Sequence, residues 1–548
     1  FSADMLDDLK TQQEYADFIA ARYAGMSGDP SAAAAYYRRA FGNAPTDPGL
    51  LERATFATLI SGDAGEAMRL VESADDSVSQ QSPSAQLVLI VDEIGAGKTK
   101  SALQRLKAGN LGAINADLVG FLSAWLTASV DNVDKGVAAL SQPPPRRQLA
   151  GEQAAIQGLM FLNDGQDEKA IAAFDQAQRL PVASTDLIAS FNARLMASQG
   201  NLAGARKAIA LEIEENGPSS LTDAVQAQLD SGEPLLRPKL SIRQGAALVV
   251  YLASAGGVAR SSPELAAMRY SLALRLDPEL APARLAFAEA FEQQDRPEDA
   301  VEVLREIQAT SPWRAEALMR QAWMLNGIDH PGEALVAADQ ALASSRRRDV
   351  IVGVADLNRI NGNHERARKL YDQIIAADLQ ANLPDWRVLF ARANALSAAG
   401  AWKEAEADVL AALAIEPDRP ELQNFLGFGW IERGERVEEG MKLVQKAAAA
   451  RPDQGYIVDS LGWAHFSLGQ YEEAVTYLER AAGLSPADAE IVDHLGDAYW
   501  RAGREAEARY QWTAALRLKP GPEREQSVRD KLEKGLPAKP AASLASRP

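Results

Sequence analysis

Cysteine is absent from this chain, and histidine occurs only four times in 548 residues. The first absence excludes disulfides, thiolate metal sites and a cysteine nucleophile, and leaves the redox compartment open. The second leaves His330, His364, His465 and His494, none of which forms the i, i+4 pair of a helical zinc site. Basic residues are outnumbered, 57 Lys and Arg against 75 Asp and Glu, for a formal net charge of −18. That balance argues against general nucleic-acid binding, which rests on clustered cations neutralising phosphates. It favours solubility and attraction to basic partners. The most apolar stretch, Ala246 to Ala255, is far shorter than a membrane-spanning helix and reads as a buried one. The hydrophobic share of 47% is nonetheless that of a folded protein.

What is present is a period. Pro452, Pro486 and Pro520 stand 34 residues apart, and Leu461-Gly462, Gly469 and Ala474 recur in that register as Leu495-Gly496, Gly503 and Ala508. A fixed period of this length marks an array of helix-turn-helix units, each stacking on its neighbours to bury an apolar face. Anchor positions continue through Ala33, Ala67, Ala102, Gly136, Ala170 and Ala205, then Ala266, Ala300, Ala334, Ala367, Ala405 and Gly440. The register slips between Ala205 and Ala266, where Gly217-Pro218, Gly232, Pro234 and Pro238 punctuate the chain. A smaller expansion separates Ala367 from Ala405. Pro143-Pro144-Pro145 reads as a rigid turn.

In the last full unit, Val492, Leu495, Gly496 and Tyr499 are followed by Ala508, Trp512, Ala515 and Pro520. This resembles the tetratricopeptide repeat, W-x2-L-G-x2-Y then A-x3-F then P. The resemblance implies an all-α, right-handed superhelical solenoid of tetratricopeptide-like helix-turn-helix repeats. The expected organisation is an N-terminal repeat block over 1–216, an irregular joint over 217–262 and a C-terminal repeat block over 263–520. A terminal helix and disordered tail occupy 521–548. By family analogy, fixed positions of each first helix face an inner groove, which here implies a partner-binding surface of Asn424, Phe428, Tyr456, Asp459, Trp463, Phe466, Asp493, Asp497, Trp500 and Arg501. Aromatics there would give contact area, and the polar groups orientation. The basic clamp of some chaperone-binding members is not evident.

Three features invite other readings. Val88 to Thr99 imitates a phosphate loop, but Asp92 stands where the motif needs glycine, and the stretch falls at a repeat turn. His494 beside Asp493 and Asp497, or Ser460 beside Asp459, hints at hydrolytic chemistry without a complete site. His465 occupies the tyrosine-like packing position of its repeat, which implies a core role. Arg346-Arg347-Arg348 reads as the cationic end of a helix.

The run Asn424 to Trp430, then Arg451-Pro452-Asp453, Asp459 to His465 and His494 to Asp497, is similar to bacterial envelope tetratricopeptide proteins. Some of these are outer-membrane lipoproteins that act as adaptors of a periplasmic carboxyl-terminal processing protease. The resemblance implies a non-enzymatic scaffold without cofactor or metal, at the periplasm or the periplasmic face of the outer membrane. Its partners would be such a protease and its protein substrates, with no nucleic acid and no transmembrane segment. A lipid anchor would lie upstream of Phe1. The alternative is a cytoplasmic assembly scaffold or chaperone-like tetratricopeptide protein.

Overall fold

The computed structural model describes residues 3–140 and 149–537. Among them every regular element is helical, without a strand, and successive helices pair as antiparallel hairpins. The last repeat shows why. The Asp488 carboxylate accepts from the backbone N–H groups of Glu490 and Ile491 and starts helix Ala489–Arg501. Gly503, at φ 79°, makes the left-handed turn into helix Glu505–Arg517. Between the two helices a Cβ on Gly496 would stand 2.5 Å from Trp512 Cδ1, so only glycine admits the indole. Gly462 meets Leu478 in the same way one repeat earlier, at 2.7 Å. The anchor alanines that carry the period are 3% exposed or less throughout, from Ala33 to Ala508.

The apparent phosphate loop is one of these hairpins. Residues 83–95 are helical, with Val88, Ile90, Val91 and Ile94 buried, Gly97 forms the turn at φ 74°, and helix Thr99–Ala108 follows. A phosphate loop needs a strand leading into it. Pro143-Pro144-Pro145 and the tail beyond 537 lie outside the described residues.

The chain forms two compact units, Phe1–Val350 and Ile351–Pro548, so the division falls at 350/351 rather than within 217–262. That stretch contributes helix Ser220–Ser231 and then Ile242–Ala255, which pairs with Pro263–Leu276. This hairpin packs against the first helices of earlier repeats, Pro48–Ile60, Pro83–Gly95 and Ala116–Val130. Gly245 to Ser254 are all buried, because the apolar run now faces protein on every side. Trp125 Nε1 donates to the Ile242 carbonyl at 3.0 Å, and a Cβ on Gly245 would stand 1.8 Å from the indole. Arg269, fully buried, donates to the carbonyl of Ile114 and to Asn115 Oδ1. Arg296 donates to the Ile60 carbonyl at 3.0 Å. The first unit thus fills the inner face of its early repeats with its own later helices.

The arginine run also differs from its expected role. Helix Pro331–Ser344 has ended before it, and Arg347 pairs with Asp223 and Asp349 and donates to the Pro218 carbonyl. It ties helix Ser220–Ser231 into the first unit. One described stretch, Ala113–Val130, is long and apolar enough to cross a membrane, with mean hydropathy 1.3. Here it packs as a repeat helix through Leu118, Leu122 and Trp125.

Candidate functional site

In the second unit the first helices of three repeats, Trp386–Ala398, Pro420–Glu432 and Gly455–Ser467, line a groove of about 380 Å³. Its apolar floor is a chain of rings. Phe390 meets Phe425 edge-on at 5.5 Å, Phe425 stacks on Trp402 at 5.9 Å, and Phe428 and Tyr456 complete the lining. Gly429 lets Trp402 lie against the helix, since a Cβ there would stand 2.0 Å from the indole. Arg433 covers the outer face of Trp402 at 4.1 Å and is also held by the Gly429 carbonyl and Glu432.

The buried polar groups of this groove include an unpaired donor, Trp402 Nε1, and two unpaired acceptors. Asn424, 8% exposed, donates its Nδ2 to Ser460 Oγ at 3.1 Å, while its Oδ1 has no hydrogen-bond partner. Glu421 Oε2 is likewise buried without one. A buried acceptor left unpaired costs about 1–3 kcal/mol, which a ligand's donor would recover.

The ten residues implied as one surface fall into three groups. Asn424, Phe428 and Tyr456 lie together in the groove. Asp459, Trp463 and Phe466 form a second cluster with His494: the Trp463 indole stacks on Phe466 at 4.5 Å and on the His494 imidazole at 3.9 Å. Asp493, Asp497, Trp500 and Arg501 form a third, covered by the chain's own last helix, Pro522–Lys534. Lys531 Nζ lies 2.8 Å from both Asp493 and Asp497, and Arg524 pairs with Glu490 and Asp493. Trp500 packs against Gly535, and Arg501 donates to the Pro537 carbonyl. The last group is therefore an internal seam.

The residues that suggested hydrolysis are engaged elsewhere. His494 faces Asp459 of the preceding repeat, at 3.0 Å, and not the Asp493 and Asp497 held by Lys531. Ser460 Oγ donates to the Tyr456 carbonyl and accepts from Asn424. His465 is only half-buried, stacking on Tyr477 at 5.3 Å and bonded to Gln470, so its expected core role is corrected to a flanking one. No group of three or more His, Cys, Asp or Glu suited to a metal occurs among the described residues.

Burial pulls the His494 pKa down, but the Asp459 carboxylate, with Glu490 and Asp493 near it, outweighs burial and leaves the value above that of ordinary histidine. A raised native pKa stabilises the fold fully below the unfolded value of about 6.5, and the benefit declines as pH rises through the native value. The wild-type chain will therefore lose stability above about pH 6.5 by a component that His494→Gln lacks. Urea unfolding at several pH values checks this; parallel pH curves for the two would contradict it.

Sequence reasoning missed Phe390, Asn394, Phe425 and Trp402. Phe390 and Asn394 stand 34 residues before Asn424 and Phe428, so the same register carried one unit back would have found them. The expansion between Ala367 and Ala405 concealed this. It is absorbed by the long helix His364–Gln380 and the turn after it, before Trp386–Ala398 begins.

Residues 355–420 and 460–522 match the tetratricopeptide repeat family. A TPR repeat-containing protein of Pseudomonas aeruginosa is 26% identical over 154 residues, which is 28% of this chain and 26% of that protein. The match thus spans about a quarter of that relative. Among solved structures, a tetratricopeptide repeat protein from Parabacteroides merdae is similar at 15% identity and a TM-score of 0.41, over 46% of this chain and 96% of its own. A chain of the APC/C hetero-tetramer Cut9–Hcn1 is similar at 13% identity and a TM-score of 0.37, over 98% of this chain and 99% of its own.

Proposed function

We propose that this chain, an all-α solenoid of tetratricopeptide-like hairpins, is a non-catalytic scaffold that binds an extended protein segment in the groove of its second unit. The observation that carries this reading is the groove itself. Aromatic floor and unpaired buried acceptors meet there on first helices, while in the last repeat helix Pro522–Lys534 covers Asp493 and Asp497 through Lys531. Such a surface supplies apolar contact area and fixes a main chain by hydrogen bonds.

The finer reading is that of a bacterial envelope adaptor, holding a carboxyl-terminal processing protease and its protein substrates together. Its support is the similarity of Asn424 to Trp430 and of Asp459 to His465 to such adaptors. Binding both at once would raise their effective concentration without chemistry by the scaffold. Cross-linking in the source bacterium, followed by recovery of this chain, tests it. A processing protease among the cross-linked proteins is the expected result; cross-links confined to cytoplasmic proteins would favour a cytoplasmic scaffold and sink the adaptor.

A further inference from the structure

The groove has a polarity of its own. Of its three unsatisfied buried atoms, Asn424 Oδ1 and Glu421 Oε2 are acceptors and the third is the neutral indole N–H of Trp402, and Asn424 is more than nine-tenths buried. Tyr456, 47% exposed, shares the lining with Glu421, close enough for that carboxylate to help push the phenol's pKa up after burial itself. Glu432 adds a second carboxylate at the rim. The cation in the lining, Arg433, is already held by the Trp402 ring, the Gly429 carbonyl and Glu432. An anionic ligand would meet the Glu421 carboxylate and, as an unpaired donor, the neutral Trp402 indole N–H, with Glu432 already paired to Arg433, whereas a cation would find a carboxylate and the face of a ring together.

We propose that the groove selects an extended segment bearing Lys or Arg next to an aromatic or aliphatic residue. The cation sits between the Glu421 carboxylate and the Tyr456 ring. The neighbouring apolar side chain rests on Phe390, Phe425 and Phe428, and a backbone N–H of the segment donates to Asn424 Oδ1. The formal net charge of −18 draws such a segment in from solution. This inference rests on the reading of the groove as a peptide site and specifies what that site prefers.

Selection of displayed random twelve-residue peptides on the full chain tests it, using wild type, Glu421→Gln, Glu421→Lys and Phe428→Ala, each confirmed folded by its thermal melt. Wild type will enrich peptides with Lys or Arg beside an apolar residue. A synthetic copy of the commonest one will lose about tenfold in affinity when its cation becomes Gln, and that loss will vanish against Glu421→Gln. Glu421→Lys will enrich peptides without the cation. Peptides that need Phe428 but show no preference for a cation would overturn the charge selectivity and leave the groove reading intact. Failure to enrich any peptide that depends on Phe428 would overturn both.

Discussion

Trp125→Ala will cost the first unit about 3–5 kcal/mol, the range for removing a fully buried large aromatic. Trp125 is 1% exposed, and its indole sits where helix Ile242–Ala255 crosses Ala116–Val130, donating to the Ile242 carbonyl. Removing it takes away both the wedge between the two helices and the partner of a carbonyl that helix Ile242–Ala255 presents to it. Gly245→Ala attacks the same contact from the other side by placing a methyl within 1.8 Å of the ring. Overpacking of this kind costs about 1–3 kcal/mol. Because the two changes share one contact, the double variant will be less destabilised than the sum of the single ones. Urea unfolding, with hydrogen exchange read separately over Ala116–Val130 and Ile242–Ala255, checks the set. A loss below about 1 kcal/mol for Trp125→Ala would mean that the returning hairpin does not depend on this contact.

The largest effect on function will come from Phe428→Ala combined with Tyr456→Ala. Aromatic anchors in a desolvated site carry about 2 kcal/mol or more each, so the pair will weaken partner binding by at least two orders of magnitude. Neither side chain is fully buried, so the fold will survive both changes. Trp500→Ala is the matched comparison, because that indole packs against Trp512 and Gly535. It will lower stability and leave partner affinity within about threefold.

The period made the hairpins legible because it is local. Each anchor alanine meets its own partner helix within one repeat, and Gly496 with Trp512 or Gly462 with Leu478 show the same interlock 34 residues apart. Which inner face stays accessible is not a local property. Trp125 meets Ile242 across 117 residues and Arg296 meets Ile60 across 236, and neither pairing leaves a trace in the period. The run Ala246 to Ala255 signalled burial, but what it would be buried against was not encoded in that segment. The terminal helix posed the same problem. It was expected only as a helix, yet its Lys531 lies between Asp493 and Asp497 and engages two of the expected surface residues. Asn424, Phe428 and Tyr456 were legible only as members of the ten-residue surface, each at a position that family analogy turns inward, and they line one groove.

Hydrogen exchange of the full chain, measured with and without a protein recovered by cross-linking, tests the central claim most directly. The account predicts slowed exchange in Trp386–Ala398, Pro420–Glu432 and the start of Gly455–Ser467, abolished by Phe428→Ala with Tyr456→Ala. Ala489–Arg501, beneath its own terminal helix, will be unchanged. Protection that appears on Ala489–Arg501 or on the first unit instead, and that persists in the double variant, would contradict it.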